Sequence, residues 1–135
     1  YKPEFNKMFE INIEIKNKWV SNDCKACIDS INVGSNIRIE GWAFIEGIRV
    51  NNLNSKKIVL IDEESNNIIF STDVVIRKDV TSVMKKQGNL NLSGFSCTID
   101  SSLLTKNTYK VGLLLENKLL HKKKFIITDK KINLQ

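Results

Sequence analysis

Ten residues constrain this chain more than any others: Ile37-Arg38-Ile39-Glu40-Gly41-Trp42-Ala43-Phe44-Ile45-Glu46. Apolar and charged side chains alternate along them, and the rhythm breaks at Gly41. A repeat of two is the mark of a strand with one face buried, and such a strand must lie in a sheet packed on a second layer. Strict alternation points Ile37, Ile39, Gly41, Ala43 and Ile45 inward and sets Trp42 and Phe44 outward with Arg38, Glu40 and Glu46, as an open aromatic platform on which a sugar ring or a partner surface would stack. A glycine inside a strand also marks bulges, and a bulge at Gly41 would swing Trp42 and Phe44 into the core. The high average burial of tryptophan favours the core.

Similar segments follow at short intervals. Phe9, Ile11, Ile13 and Ile15 alternate with polar residues, which predicts a strand over 9–15. Strands are expected over 25–33, closed by Gly34-Ser35-Asn36, and over 57–61, whose apolar run suits a central strand buried on both faces. A loop holding a short strand is expected over 48–55. Residues 68–75 read as the hairpin partner of 57–61, across the polar reversal at 62–67. Phe95, Cys97 and Ile99 mark a further strand, as do residues 109–113 and 119–128. The best helical candidate is 79–86, with Asp79 as its cap and Val80, Val83 and Met84 on one face. Seven or eight short strands with polar turns predict an all-β, immunoglobulin-like two-sheet sandwich. Tyr109 opens a strand just after Leu103-Leu104, the setting of a tyrosine corner, in which the phenol bonds backbone upstream.

Length and charge narrow the rest. At 135 residues the chain fits one domain with a sizeable core. The core is expected over 25–128, after an extension or linker at 1–24 and before a tail at 129–135. The absence of an initial Met suggests a module of a longer protein. The net charge of +6 is local: six Lys and one Asp between 118 and 135 give +5, leaving +1 for residues 1–117. Lys122 and Lys124 share one strand face there, and lysines protect an edge strand from unwanted pairing. They also suit an anionic polymer or a membrane surface. Nucleic acid is not expected, because only Phe125 stands beside the basic cluster as a stacking partner.

No catalytic constellation is visible. The one histidine, His121, is followed by three lysines and has no adjacent carboxylate, and no nucleophile elbow or phosphate loop occurs. Cys24, Cys27, Cys97 and His121 would make a zinc set, but a single C-x-x-C is a weak signal and Cys97 fits a buried strand face. The Asp62-Glu63-Glu64 turn lacks the ligand alternation of a calcium loop. Neither cofactor nor metal is expected. An odd cysteine count argues for a reducing compartment, with one disulfide in an exported protein as the alternative.

The order Gly41-Trp42-Ala43, Arg77-Lys78-Asp79-Val80, Ser93-Gly94-Phe95, then Leu104 with Tyr109, resembles a β-sandwich accessory module of bacterial glycosyltransferases that build surface polysaccharides or teichoic-acid-type polymers. The resemblance spans about residues 25–128 and departs from the family at Ala43-Phe44-Ile45-Glu46. It implies a non-catalytic module beside a catalytic domain of the same chain, contacting glycan, partner or membrane on the cytoplasmic side. Within it, Gly41, Arg77, Asp79 and Tyr109 are structural, and Arg77 pairs with Asp79. An exported adhesion or stalk domain that binds a protein is the alternative.

Overall fold

The computed structural model describes residues 4–51 and 54–134. Residues 1–3 of the expected extension, 52–53 of the 48–55 loop and 135 of the tail lie outside them. Among the described residues, nine strands form two antiparallel sheets. They are β1 (Met8–Ile11), β2 (Cys24–Val33), β3 (Asn36–Ile45), β4 (Asn54–Ile61), β5 (Asn67–Phe70), β6 (Asp73–Val75), β7 (Gly94–Asp100), β8 (Thr108–Asn117) and β9 (Lys122–Asn133). Among the described residues one short α-helix, α1 (Lys78–Val83), follows β6. One sheet runs β1-β5-β4-β8-β9 and the other β2-β3-β7-β6. The chain is an all-β two-sheet sandwich.

Between the sheets lie the inward residues of each strand, among them Ile37, Ile39, Ile58, Leu60, Phe70, Phe95, Ile99, Val111 and Leu113. Two smaller cores cover the outer faces. On the five-stranded sheet, Val59, Ile69, Leu114 and Phe125 are roofed by Ile13, Ile15 and Trp19. On the four-stranded sheet, Phe44, Val80 and Leu90 pack with Trp42, Val50 and Met84. This explains the unbroken apolar runs at 58–61 and 111–115, since a strand covered on both faces has no solvent side to keep polar.

The alternation in β3 persists through Gly41, which pairs with Ile28 on one side and Phe95 on the other. The bulge sits on the neighbour: Ile28 pairs with Gly41 and Ser30 with Glu40, so Asp29 is the extra residue of β2. A Cβ on Gly41 would stand 2.1 Å from the Cys27 carbonyl oxygen and 3.1 Å from the Ile28 Cα. Gly41 is therefore required by close approach of β2. Trp42 and Phe44 face outward, yet Phe44 is 4% exposed and Trp42 half-buried, because the 76–93 segment folds over them. Both expectations, an open aromatic platform and a swing into the central core, are corrected by this second core.

Other expectations shift for identifiable reasons. The alternating residues 9–15 do not form one half-buried strand. Met8, Phe9, Glu10 and Ile11 are exposed on β1, and the chain turns at Asn12 (φ 52°) before Ile13 and Ile15 reach the outer face. The segment 68–75 divides at Ser71-Thr72, where the chain leaves the first sheet as β5 and enters the second as β6. Residues 119–121 belong to the β8–β9 turn. The last strand begins at Lys122 and runs on into the expected tail, burying Ile132 opposite Tyr109. Residues 6–23 supply an edge strand, part of the roof and a seam. Asn6 bonds Thr98 of β7 in both directions, and the Lys7 carbonyl accepts from the Ser71 amide at 2.8 Å.

Tyr109 is 2% exposed, and its hydroxyl accepts from the Thr105 and Lys106 amides at 3.1 and 3.0 Å. Asp79 is not the helix cap. Arg77 occupies that position without a side-chain capping bond, and Asp79 sits in the first turn. Val83 is 79% exposed, so Val80 and Met84 carry the buried face.

Gly41→Ala is expected to lower unfolding free energy by about 1–3 kcal/mol in urea denaturation, as backbone must move to admit the methyl group. Gly34→Ala, whose Cβ would meet nothing closer than 3.8 Å, should change it by less than about 0.5 kcal/mol.

Candidate functional site

Strand register gathers four connections at one end of the sandwich. Cys24 pairs with Ile45, Asn54 with Asn117, Asn117 with Lys122, and Gly94 with both Trp42 and Val75. The 17–23 segment, the β3–β4 loop, the β8–β9 hairpin and the α1 region therefore project together. Their exposed cations come from distant parts of the sequence: Lys18, Arg49, Lys78, Lys86, Lys118 and Lys122. The acidic turn Asp62-Glu63-Glu64 follows the far end of β4, at the opposite pole.

The basic end holds an open groove of about 930 Å³ between the β3–β4 loop and the segment 76–92. Arg49, Lys78 and Lys86 line it, with the amides of Gln87, Asn89 and Asn91 and no carboxylate. None of the three cations has an ion-pair partner among the described residues. Cation side chains with amide donors and no competing acid form a surface for anions.

The groove walls are built rigidly. The Arg77 guanidinium bonds Asp79 through two nitrogens, at 2.9 and 2.8 Å, and also grips Asp29, the bulged residue of β2. Hydrogen bonds from Arg77 hold the Asp79 carboxyl below its usual range, and the two carboxylates raise the Arg77 pKa. The Arg77 amide donates to the Asn91 carbonyl at 2.8 Å, and the Thr81 hydroxyl joins the Asn91 side chain to the Leu90 amide. Gly88 makes the turn between the two halves of this wall with φ 93°. On the other side, Asn54 donates to the Arg49 carbonyl at 2.9 Å, and its own carbonyl accepts from Asn117 at 2.9 Å. Asn117 in turn receives the Leu120 amide at 2.8 Å, so one asparagine pair fixes both the β3–β4 loop and the β8–β9 hairpin.

Lys56 braces the wall from below. It is 6% exposed at the end of the main core and donates to the Leu92 carbonyl at 3.1 Å, beneath the groove. Burial without a carboxylate lowers its pKa to about 8.

The residues singled out from sequence separate. Lys122 is exposed, whereas Lys124 is largely covered and pairs with Asp23 at 3.4 Å. Bonding from Ser21, then the nearby Lys124, keeps the Asp23 carboxyl low. Lys123 lies over the Trp19 ring, 5.0 Å from its centroid. Trp42 stacks on Phe44 with centroids 5.8 Å apart, as part of the outer core. Cys24 and Cys97 are buried in the main core at opposite stretches of β3, opposite Ile45 and Ile39, and Cys27 points out of the other sheet face. Among the described residues no three His, Cys, Asp or Glu side chains come together to hold a metal. Burial pushes the Cys24 thiol up to about 11 and the Cys97 thiol up to about 12.

Arg49, Lys78 and Lys86 were missed by sequence reasoning, as no local pattern joins residues 37 positions apart. Only the fold places them around one groove. No family model, characterised protein or solved structure matches the chain. No helix among the described residues is long and apolar enough to cross a membrane.

The Lys56 ammonium titrates near 10.5 when free and near 8 in the fold. Between these values the unfolded chain binds more protons at this site, so the Lys56 contribution to stability should rise with pH, by on the order of 3 kcal/mol in full. The raised thiols of Cys24 and Cys97 act the other way above their free value of 9, in native chain and variant alike. The stability of the native chain minus that of Lys56→Met, read by urea denaturation at pH 8 and pH 10.5, should therefore increase across the window; a constant difference would refute the assignment.

Proposed function

We propose that this chain is a non-catalytic β-sandwich module that holds an anionic glycan polymer in the groove of Arg49, Lys78 and Lys86, within a larger bacterial glycan-processing enzyme. The observation that carries the reading is the groove itself, open along its length, lined by three cations and three amides, and free of carboxylates. An open trough suits an extended, repeating chain better than a small molecule, which is ordinarily enclosed by apolar walls. The resemblance to accessory modules of surface-polysaccharide and teichoic-acid-type glycosyltransferases supplies the class of polymer, one bearing phosphate or carboxylate groups. In this reading the catalytic domain of the same polypeptide acts on the polymer, and the module keeps it near the cytoplasmic membrane face. The sandwich contributes no general acid or base to the groove.

Titration with soluble poly(glycerol phosphate), followed by calorimetry, tests the assignment. Binding should weaken as salt rises, since exposed charges are screened over about 8 Å at physiological ionic strength. The triple variant Arg49→Glu/Lys78→Glu/Lys86→Glu should bind at least about tenfold more weakly. Equal affinity in the variant would sink the proposal for this groove. Incubated alone with a nucleotide-sugar and acceptor polymer, the chain should give no transfer, and turnover would show it to be an enzyme.

A further inference from the structure

A second feature of the basic end has a different chemistry from the groove. The β8–β9 turn carries two adjacent leucines at its tip, Leu119 at 68% and Leu120 at 54% exposure. Paired apolar side chains on a projecting loop are costly to leave in water, and no neighbouring element among the described residues covers them. Their presentation is fixed: Asn117 and Lys122 close the loop as a strand pair, Asn117 accepts the Leu120 amide, and His121 takes a left-handed conformation (φ 53°) to enter β9.

Around the two leucines stands a collar of exposed base, Lys118, His121 and Lys122, continued by Lys18 and Lys123 along a shallow depression at the root of the hairpin. Trp19 lies in the same depression beneath Lys123. The acids nearby are few. Glu116 lines the depression, and Asp23 is taken up by Lys124.

We infer that the β8–β9 hairpin is a membrane-contact tip, with Leu119 and Leu120 entering the interfacial region of an anionic bilayer while the lysine collar meets lipid phosphates. An apolar tip within a ring of base matches the two layers of such a surface, acyl chain below and negative headgroup above. A soluble polyanion would satisfy the lysines and leave the leucines in water. The occupant that fits both is therefore a bilayer. Its chemistry is distinct from the polymer groove, and either site stands without the other.

Sedimentation of the chain with phosphatidylcholine vesicles containing phosphatidylglycerol tests the tip. The native chain should bind these vesicles and bind pure phosphatidylcholine far more weakly. Leu119→Ser/Leu120→Ser keeps every charge and should lower the partition coefficient about tenfold or more, the expected loss for two partly buried leucines. Both side chains are exposed, so its thermal midpoint should match the native one. Lys118→Glu/Lys122→Glu should also lose vesicle binding, whereas the groove triple variant should keep it and lose poly(glycerol phosphate). If the serine variant sediments as well as the native chain, adsorption is purely electrostatic and the tip is refuted. A native chain that stays in solution with anionic vesicles at low salt refutes it equally, as does a serine variant that loses the soluble polymer to the same degree.

Discussion

The Arg77 guanidinium joins the parts of this molecule that would otherwise be independent. It leaves the end of β6, reaches back to the bulged Asp29 of β2 and closes on Asp79 of α1. Gly94 lies directly beneath it, where a Cβ would stand 2.4 Å from the Arg77 Cγ. The clamp thus depends on two absences of side chain, at Gly41 so that β2 can bulge and at Gly94 so that arginine can lie flat on β7. With the clamp in place, the 76–93 segment is fastened over Trp42 and Phe44, and one wall of the groove is set. Planar, bidentate pairing explains why arginine is suited to this position, since a lysine ammonium would satisfy one carboxylate and leave the other.

Burial on three levels follows from the same economy. A sandwich of this length has one natural core, between its sheets. Here the connections are used as roofs, residues 13–19 on one sheet and 76–93 on the other. The strands beneath can then be apolar on both sides, and the outer cores hold the loops of the basic end in fixed positions. Polar anchors complete the work at the rim, where Asn54, Asn117 and Lys56 bind carbonyls and amides that strand pairing leaves over.

Much of the sandwich was legible in the sequence, for a physical reason. Residues 25–33, 37–45, 57–61, 95–99 and 109–113 owe their conformation to local alternation or to short β-branched runs, which the chain states plainly, while the extensions of β4 back to Asn54 and of β8 on to Asn117 rest on their pairing with each other. What was not legible depended on distant partners. Nothing local distinguishes Ser71-Thr72 as the crossing between sheets, or tells that Ile13 and Ile15 leave the edge that Phe9 and Ile11 occupy. Trp42 is the clearest case. Its outward direction follows from alternation, but its cover comes from Val80 and Leu90, some forty residues on. The charge cluster at 118–124 was visible as a run, yet four of the six exposed cations named at that end, Lys18, Arg49, Lys78 and Lys86, lie outside it and acquire meaning only through topology.

The seam made by residues 6–11 sets an order of events. Asn6 closes against Thr98, 92 positions away, and β1 pairs with β5 near residue 70. A chain emerging from the ribosome therefore presents Phe5, Phe9 and Ile11 long before either partner exists. Residues 5–11 are made before the strands they close against, and they must wait unpaired while the sheets form behind them. Glu4, Lys7, Glu10 and Glu14 interrupt this apolar stretch, and such gatekeeper charges oppose its pairing with other copies until the seam shuts.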